Sequence, residues 1–160
     1  MNKIEALRAL QGQGIFDLLE VHETEQNICL VMELIHQDTL HNLLQDMESS
    51  FMLSIPTVQR IMSNILHALS ILASYGIIHR NLKPSNILIE DEAKIKIINF
   101  SLVTCISAPV SSFKICGTPG YTAPEVFNSM KNDRVYNEKC DIFSAGCIFF
   151  EMYEGSLISK

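Results

Sequence analysis

His79-Arg80-Asn81-Leu82-Lys83-Pro84-Ser85-Asn86, running directly into Ile87-Leu88-Ile89, is the stretch whose reading settles what this chain folds into. Ile87–Ile89 and Ile95–Ile98 are short apolar runs joined by the polar Glu90-Asp91-Glu92-Ala93-Lys94, which predicts a small hairpin. The basic and amide side chains of the quoted stretch therefore lead into one strand, and Asn99-Phe100-Ser101 leaves the other. Residues 101–122 have no periodicity and contain Ser107, Pro109, Ser111, Ser112 and two glycines, which marks a long functional loop ending at Ala123-Pro124-Glu125.

Upstream, Ile4, Leu7 and Leu10 recur at helical spacing until Gly12 and Gly14 stop the run, so residues 2–10 read as the end of a helix. Gly12-Gln13-Gly14 has no third glycine and follows a helix, so it reads as a helix-ending turn and not as a phosphate cradle. Ile15 to His22 and Ile28 to Leu34 are rich in strand formers around a polar turn, and should pair as a hairpin. A short helix begins with Asp38 or Thr39 as N-cap and turns Leu40, Leu43 and Leu44 inward. A longer one starts at Ser54, with Pro56 in its first turn. Val58, Ile61, Met62, Ile65, Leu66, Leu69 and Leu72 keep the period until Gly76 ends it. The last helix runs from Asp141 to about Glu154 and is apolar on nearly all sides, which predicts burial at a centre.

The chain has 160 residues, 48% of them hydrophobic, enough for one globular domain and too apolar for disorder. No repeat, low-complexity tract or interdomain linker divides it, so it reads as one domain or part of one. A net charge of −6 with scattered Lys and Arg offers no basic field to nucleic acid or anionic lipid. The most apolar stretch, around Ile142 to Phe150, is shorter than the roughly 18 residues a spanning helix needs, and Met1-Asn2-Lys3-Ile4-Glu5 opens no signal peptide. A cytoplasmic location, no membrane and no nucleic acid are the expectations. Five cysteines without C-x-x-C spacing predict reduced, buried or half-buried thiols, with neither a disulfide framework nor a zinc site.

The three motifs together resemble a protein kinase core with its acids removed. Protein kinases read H-R-D-x-x-x-x-N, D-F-G and A-P-E in this order, where the first Asp is the catalytic base and the second holds magnesium. Asn81 and Asn99 occupy those positions here. Lys83, and Gly117-Thr118-Pro119-Gly120-Tyr121 before Ala123, are similar to the serine/threonine branch. The resemblance implies an α+β fold holding part of a kinase domain: a small-lobe remnant with the hinge over residues 1–35, and an incomplete helical large lobe over 36–160.

ATP and magnesium are the cofactors the resemblance implies. A carboxamide has no useful proton affinity near neutral pH, so Asn81 retains positioning and loses proton uptake, or else is a loop Asn that satisfies local backbone. Asn99 removes a negative charge from where a hard cation would sit. Asn86 matches the second metal ligand or braces the loop, and Lys83 matches the lysine that approaches the transferred phosphate. Met32 matches the gatekeeper; the backbones of Glu33 and Ile35 face an adenine in the family, with Leu88 beneath it. Leu7, Leu18, His79 and Phe100 match a packing column joined from below by Asp141, or are ordinary core. Lys3 falls where the family has an ion-pairing Glu.

The usual activating phosphosite falls on Lys114, a cation opposite Arg80, which in the family pairs with that phosphate; Ser111 and Ser112 are the nearest substitutes. Glu125 matches a glutamate that pairs with an arginine beyond Lys160. The glycine-rich loop and strand lysine of the family lie upstream of the first helix and have no counterpart here. Without the helices that follow in kinases, the chain is expected to expose apolar surface and to depend on protein partners. Two functions follow: a catalytically impaired pseudokinase acting as a protein-interaction module, or a fragment of a weakly active serine/threonine kinase.

Overall fold

Ser54 sets the start of the helix around which the remaining elements pack. In the computed structural model, which describes residues 10, 15, 18–24, 26, 28–46, 53–91, 94–132 and 135–155, Ser54 is extended and its Oγ accepts the Thr57 N–H at 3.3 Å. That bond satisfies one of the N–H groups a helix start leaves open. Val58, Ile61, Ile65, Ala68, Leu69 and Leu72 then recur on one face and are all buried. Each large aliphatic side chain so buried contributes roughly 1.5–3 kcal/mol. Tyr75 caps the end through the Ile71 and Leu72 carbonyls, and Gly76, at φ +66°, turns the chain out of the helix.

The element order is β1 (Leu18–Glu23), β2 (Ile28–Met32), α1 (Leu40–Asp46), α2 (Ile55–Ser74), β3 (Ile77–Ile78), β4 (Ile87–Asp91), β5 (Lys94–Ile97), β6 (Thr104–Cys105), α3 (Pro124–Asn132) and α4 (Lys139–Glu154). Short 3-10 turns lie at Pro84–Asn86, Phe100–Leu102 and Val110–Ser112. The fold is α+β, with strands among the described residues in three antiparallel pairs: β1 with β2, β4 with β5, and β3 with β6. In the second pair Ile87 faces Ile97 and Ile89 faces Ile95, so the apolar side chains share one side. Ile15 bridges to Ile97 in parallel and Thr39 to Leu88, which fastens the upstream segment to this hairpin.

Most expected elements form, with corrections. The second strand of the first hairpin stops at Met32, leaving Glu33 and Leu34 outside it. Thr39 caps α1, its Oγ1 accepting the Asn42 N–H at 3.2 Å. Leu66 lies on the exposed side of α2, not in its buried stripe. The segment 101–122 is not purely loop: Thr104–Cys105 pairs with Ile77–Ile78 and two 3-10 turns flank that pair. Two residues per strand are too few for an alternating pattern to show. Cys29 is exposed, unlike the buried Cys140 and Cys147.

The expectation that the last helix is buried at a centre is also corrected. Helix α4 packs on α2 through Ala145, Ile148 and Met152, and also buries Asp141 and Ser144. Ile142, Phe143, Phe149, Phe150 and Tyr153 remain 37–51% exposed. A helix apolar all round has thus buried one stripe, and the exposed apolar surface expected of this chain is found on its other side. A second, smaller core joins Ile78, Phe113, Ala123, Val126, Tyr136 and Cys140 beneath the 101–122 segment.

Candidate functional site

The site is built on a buried carboxylate. Asp141, in the first turn of α4, accepts the backbone N–H of His79 at 2.7 Å and of Arg80 at 2.8 Å. Two consecutive amides converging on one carboxylate fix the chain where Arg80 takes a left-handed conformation, φ +66°, which costs roughly 1–2 kcal/mol for a residue with a side chain. Burial pushes the Asp141 carboxyl up to about 6, and the His79 and Arg80 N–H groups restrain that rise. His79 is wholly buried. Its Nε2 donates to the Ile98 carbonyl at 3.1 Å and its Nδ1 accepts the Asn81 N–H at 3.3 Å, a neutral imidazole with both nitrogens in use. Desolvation lowers its pKa to about 4, against the Ile98 hydrogen bond. The Phe100 ring meets it edge-on, centroids 4.9 Å apart.

From this anchor the chain carries Asn81, Asn86 and Asn99 into one hydrogen-bonded series. Asn86, buried in the turn just before β4, donates from Nδ2 to the Asn81 backbone carbonyl at 2.7 Å. A carbonyl only accepts, so the orientation of the Asn86 amide is fixed and its Oδ1 points the other way. That oxygen accepts from Asn99 Nδ2 at 3.3 Å. Asn99 Oδ1 in turn accepts from Ser101 Oγ at 2.7 Å. Asn99 sits at φ +65°, a left-handed conformation in which Asn is several-fold enriched. At the other end the Asn81 side-chain oxygen accepts from Thr118 Oγ1 at 2.8 Å. The series offers a cation no carboxylate, and it directs the Asn99 N–H group at Asn86 Oδ1.

The segment after Phe100 is held against the same loop. Arg80 donates from Nε to the Leu102 carbonyl at 2.5 Å, and from Nη1 to the Ser112 carbonyl at 2.7 Å and the Tyr136 hydroxyl at 2.9 Å. Gly117, at φ +114°, packs so closely that a Cβ would lie 2.6 Å from Thr122 Oγ1 and 3.0 Å from the Arg80 carbonyl, so no other residue fits without a shift. Tyr121 donates to the Glu151 carboxylate on α4, and its carbonyl accepts from Ser144 Oγ at 2.7 Å. Burial and then Glu151 push that phenol far up, so it stays a donor. Lys114 is exposed, as is Glu125 in the first turn of α3, while Lys83 is half-buried ahead of the Pro84–Asn86 turn.

Leu18 and Leu88 are buried, whereas Met32 is 46% exposed and Leu34 80%. Ile35 and Glu33 are partly buried. Leu18, His79, Phe100 and Asp141 are thus all inside, His79 touching Phe100 and Asp141; Leu7, Lys3 and the Gly12-Gln13-Gly14 turn lie outside the described residues. Sequence reasoning missed the ion pair between Lys96 Nζ and both oxygens of Glu33, each at 2.7 Å, which ties β5 to the segment after β2. No local pattern announces a pair 63 positions apart. Tyr136 was missed as well, although its place shortly before Asp141 was available as a weak signal.

This arrangement of a His-Arg-Asn loop, an Asn-Phe-Ser turn and a buried Asp beneath them defines part of a protein kinase domain. The protein kinase domain family matches residues 1–160, and the chain belongs to that family. It is 31% identical to sperm motility kinase 2B of Mus musculus over 157 residues, 98% of this chain and 31% of that protein. It is 32% identical to serine/threonine-protein kinase unc-51 of Caenorhabditis elegans over 162 residues, 95% of this chain and 18% of that protein. It is 31% identical over 157 residues to the phosphorylase b kinase gamma catalytic chain, liver/testis isoform, of Mus musculus, 96% of this chain and 38% of that protein. The chain therefore spans well under half the length of these relatives. Among the described residues no helix is long and apolar enough to cross a membrane.

Proposed function

We propose that this chain is a catalytically impaired, pseudokinase-type protein kinase domain of the serine/threonine branch that acts as a cytoplasmic protein-interaction module. In this reading residues 1–35 are the small-lobe remnant and hinge and 36–160 the incomplete large lobe. The observation that carries it is the closed amide series Ser101, Asn99, Asn86, Asn81 and Thr118. Kinases place a base at position 81 and an anionic magnesium ligand at position 99. Here the first is a carboxamide without useful basicity, whose oxygen is occupied by Thr118. The second is a carboxamide that donates to Asn86. Magnesium fits the donor set poorly, because a hard cation is held by anionic oxygen and Asn81, Asn86 and Asn99 supply no carboxylate. Nucleotide binding at Met32, Glu33, Ile35 and Leu88, if retained, is then independent of magnesium. The exposed apolar side of α4 supports the dependence on protein partners.

The second reading, a weakly active serine/threonine kinase that transfers phosphate from ATP to protein hydroxyls, is favoured by one feature. Asn81 is still oriented, by Thr118 on one side and its own N–H on His79 on the other, and Lys83 follows it. The test is phosphoryl transfer from magnesium-ATP to a generic serine/threonine substrate. The base position alone is worth roughly 10² to 10⁴ in rate, so the expected result is no turnover that depends on Lys83. Turnover abolished by Lys83→Ala would establish the second reading instead.

A further inference from the structure

We propose that Tyr136 is a positioning residue that locks the 101–122 segment onto Arg80 without any anionic group, so that the order of this segment does not require phosphorylation. Tyr136 lies between α3 and α4, and its ring is buried in the smaller core edge-on to Phe113, centroids 5.3 Å apart. Its hydroxyl accepts from Arg80 Nη1 at 2.9 Å and donates to the Lys114 carbonyl at 2.9 Å. One oxygen thus joins the guanidinium to the far end of the segment, while Ser112 and Leu102 offer carbonyls to the same guanidinium.

The chemistry explains why a phenol suffices. An Arg guanidinium has five N–H groups in a fixed fork and is normally matched by two oxygens of a carboxylate or phosphate. Here three neutral oxygens, from three different places in the chain, take its Nε and Nη1 protons. The partner that would otherwise be charged is distributed over two carbonyls of the segment and the Tyr136 hydroxyl. The hydroxyl is held in the protonated state that the relay requires: burial raises the Tyr136 phenol to about 12, with Arg80 pulling it the other way. The side chain at position 114 is a lysine that lies exposed, so only its backbone joins the lock. Ser112 and Phe113 close the neighbouring 3-10 turn through N–H bonds to Pro109 and Val110, at 2.8 and 3.0 Å, and these two amides report whether it holds.

Hydrogen exchange on the full 160-residue chain, read at the Ser112 and Phe113 amides with α2 as internal reference, tests the inference. Tyr136→Phe keeps the ring and removes the hydroxyl bonds to Arg80 and Lys114, along with the long contact to Cys116 Sγ at 3.9 Å. It should raise exchange at these amides tenfold or more, about 1.4 kcal/mol of local opening, and leave α2 unchanged. Lys114→Glu supplies the anion that a phosphate-dependent Arg80 would await, and should leave exchange within twofold of wild type. Equal exchange in wild type and Tyr136→Phe would overturn the proposal. So would a tenfold gain of protection in Lys114→Glu, since Arg80 would then prefer an anion to the phenol. Should Tyr136→Phe also expose α2, Arg80→Lys, which keeps the charge and removes the fork, is the deciding variant: loosening confined to the segment supports the lock, and unchanged exchange refutes it.

Discussion

Asp141 and Asn99 both join the His79–Asn86 loop, and in the proposed reading each stands where the kinase pattern has an acid. At position 141 the acid is kept, buried, and spent on two backbone N–H groups. At position 99 it is replaced by an amide that donates to Asn86. The two positions answer to different demands. Holding His79 and Arg80 in place needs an acceptor with two oxygens, and an amide has one. Closing the Asn86–Asn99 contact without a cation needs a donor, which a carboxylate lacks. The shape of the loop and the chemistry at its edge are therefore physically separable, and in the proposed reading this chain retains the first while altering the second.

The comparison breaks most visibly if Asp141 is removed. Asp141→Ala leaves the His79 and Arg80 N–H groups buried without acceptors, at about 1–3 kcal/mol each. The sum, about 2–6 kcal/mol, is a large part of the roughly 5–15 kcal/mol typical of a domain. Urea unfolding should show this loss as a lower midpoint or as no cooperative transition at all; a midpoint equal to wild type would mean that Asp141 anchors nothing.

A smaller effect is written in pH. Asp141, raised from 3.8 to about 6, contributes stability that is full below about 3.8 and is lost as pH rises through about 6. His79, lowered from 6.5 to about 4, behaves oppositely: its contribution is full above 6.5 and is lost as pH falls through 4. Both shifts are worth about 3 kcal/mol at about 1.4 kcal/mol per unit, and across pH 4–6 they nearly offset each other. Asp141→Asn removes the titrating carboxyl and keeps one acceptor oxygen. The stability difference, wild type minus Asp141→Asn, should therefore shrink by about 2 kcal/mol between pH 4 and 6 in equilibrium urea unfolding. A difference that stays constant over that range would mean that Asp141 does not titrate in the fold.

Much of the anchor was legible in the sequence, because His79, Phe100 and Asp141 belong to motifs with fixed spacing and α2 has a 3.6-residue apolar period from a clear N-cap. Helix α3 was not read from the sequence, where Ala123-Pro124-Glu125 marked only the end of the 101–122 segment; at 9 residues it offers too few turns for a helical period to stand out. The replacements at 81 and 99 were equally plain. Their consequence was not, because the direction of the Asn86 amide is set by the Asn81 carbonyl, a contact that exists only once the loop has closed. Tyr136 and the Glu33–Lys96 pair were hidden for the same reason: each joins residues remote in sequence, and neither lies on a periodic face. The exposed side of α4 shows the converse, since composition established that the helix is apolar and could not establish which side is covered.

The replacement at 99 has a further test in the exchange of its amide for a carboxylate. Asn99→Asp removes the donor to Asn86 Oδ1 and sets two oxygens facing each other, a pair that a magnesium ion can bridge. In that variant magnesium should tighten binding of a fluorescent ATP analogue tenfold or more relative to chelator. The most direct measurement is the same titration on the wild-type chain. The amide series predicts that magnesium changes its affinity less than tenfold, under about 1.4 kcal/mol, whether binding is strong or weak. A tenfold or greater tightening by magnesium in the wild type would contradict the account, because the site would then hold the cation that the Asn99–Asn86 contact is said to have replaced.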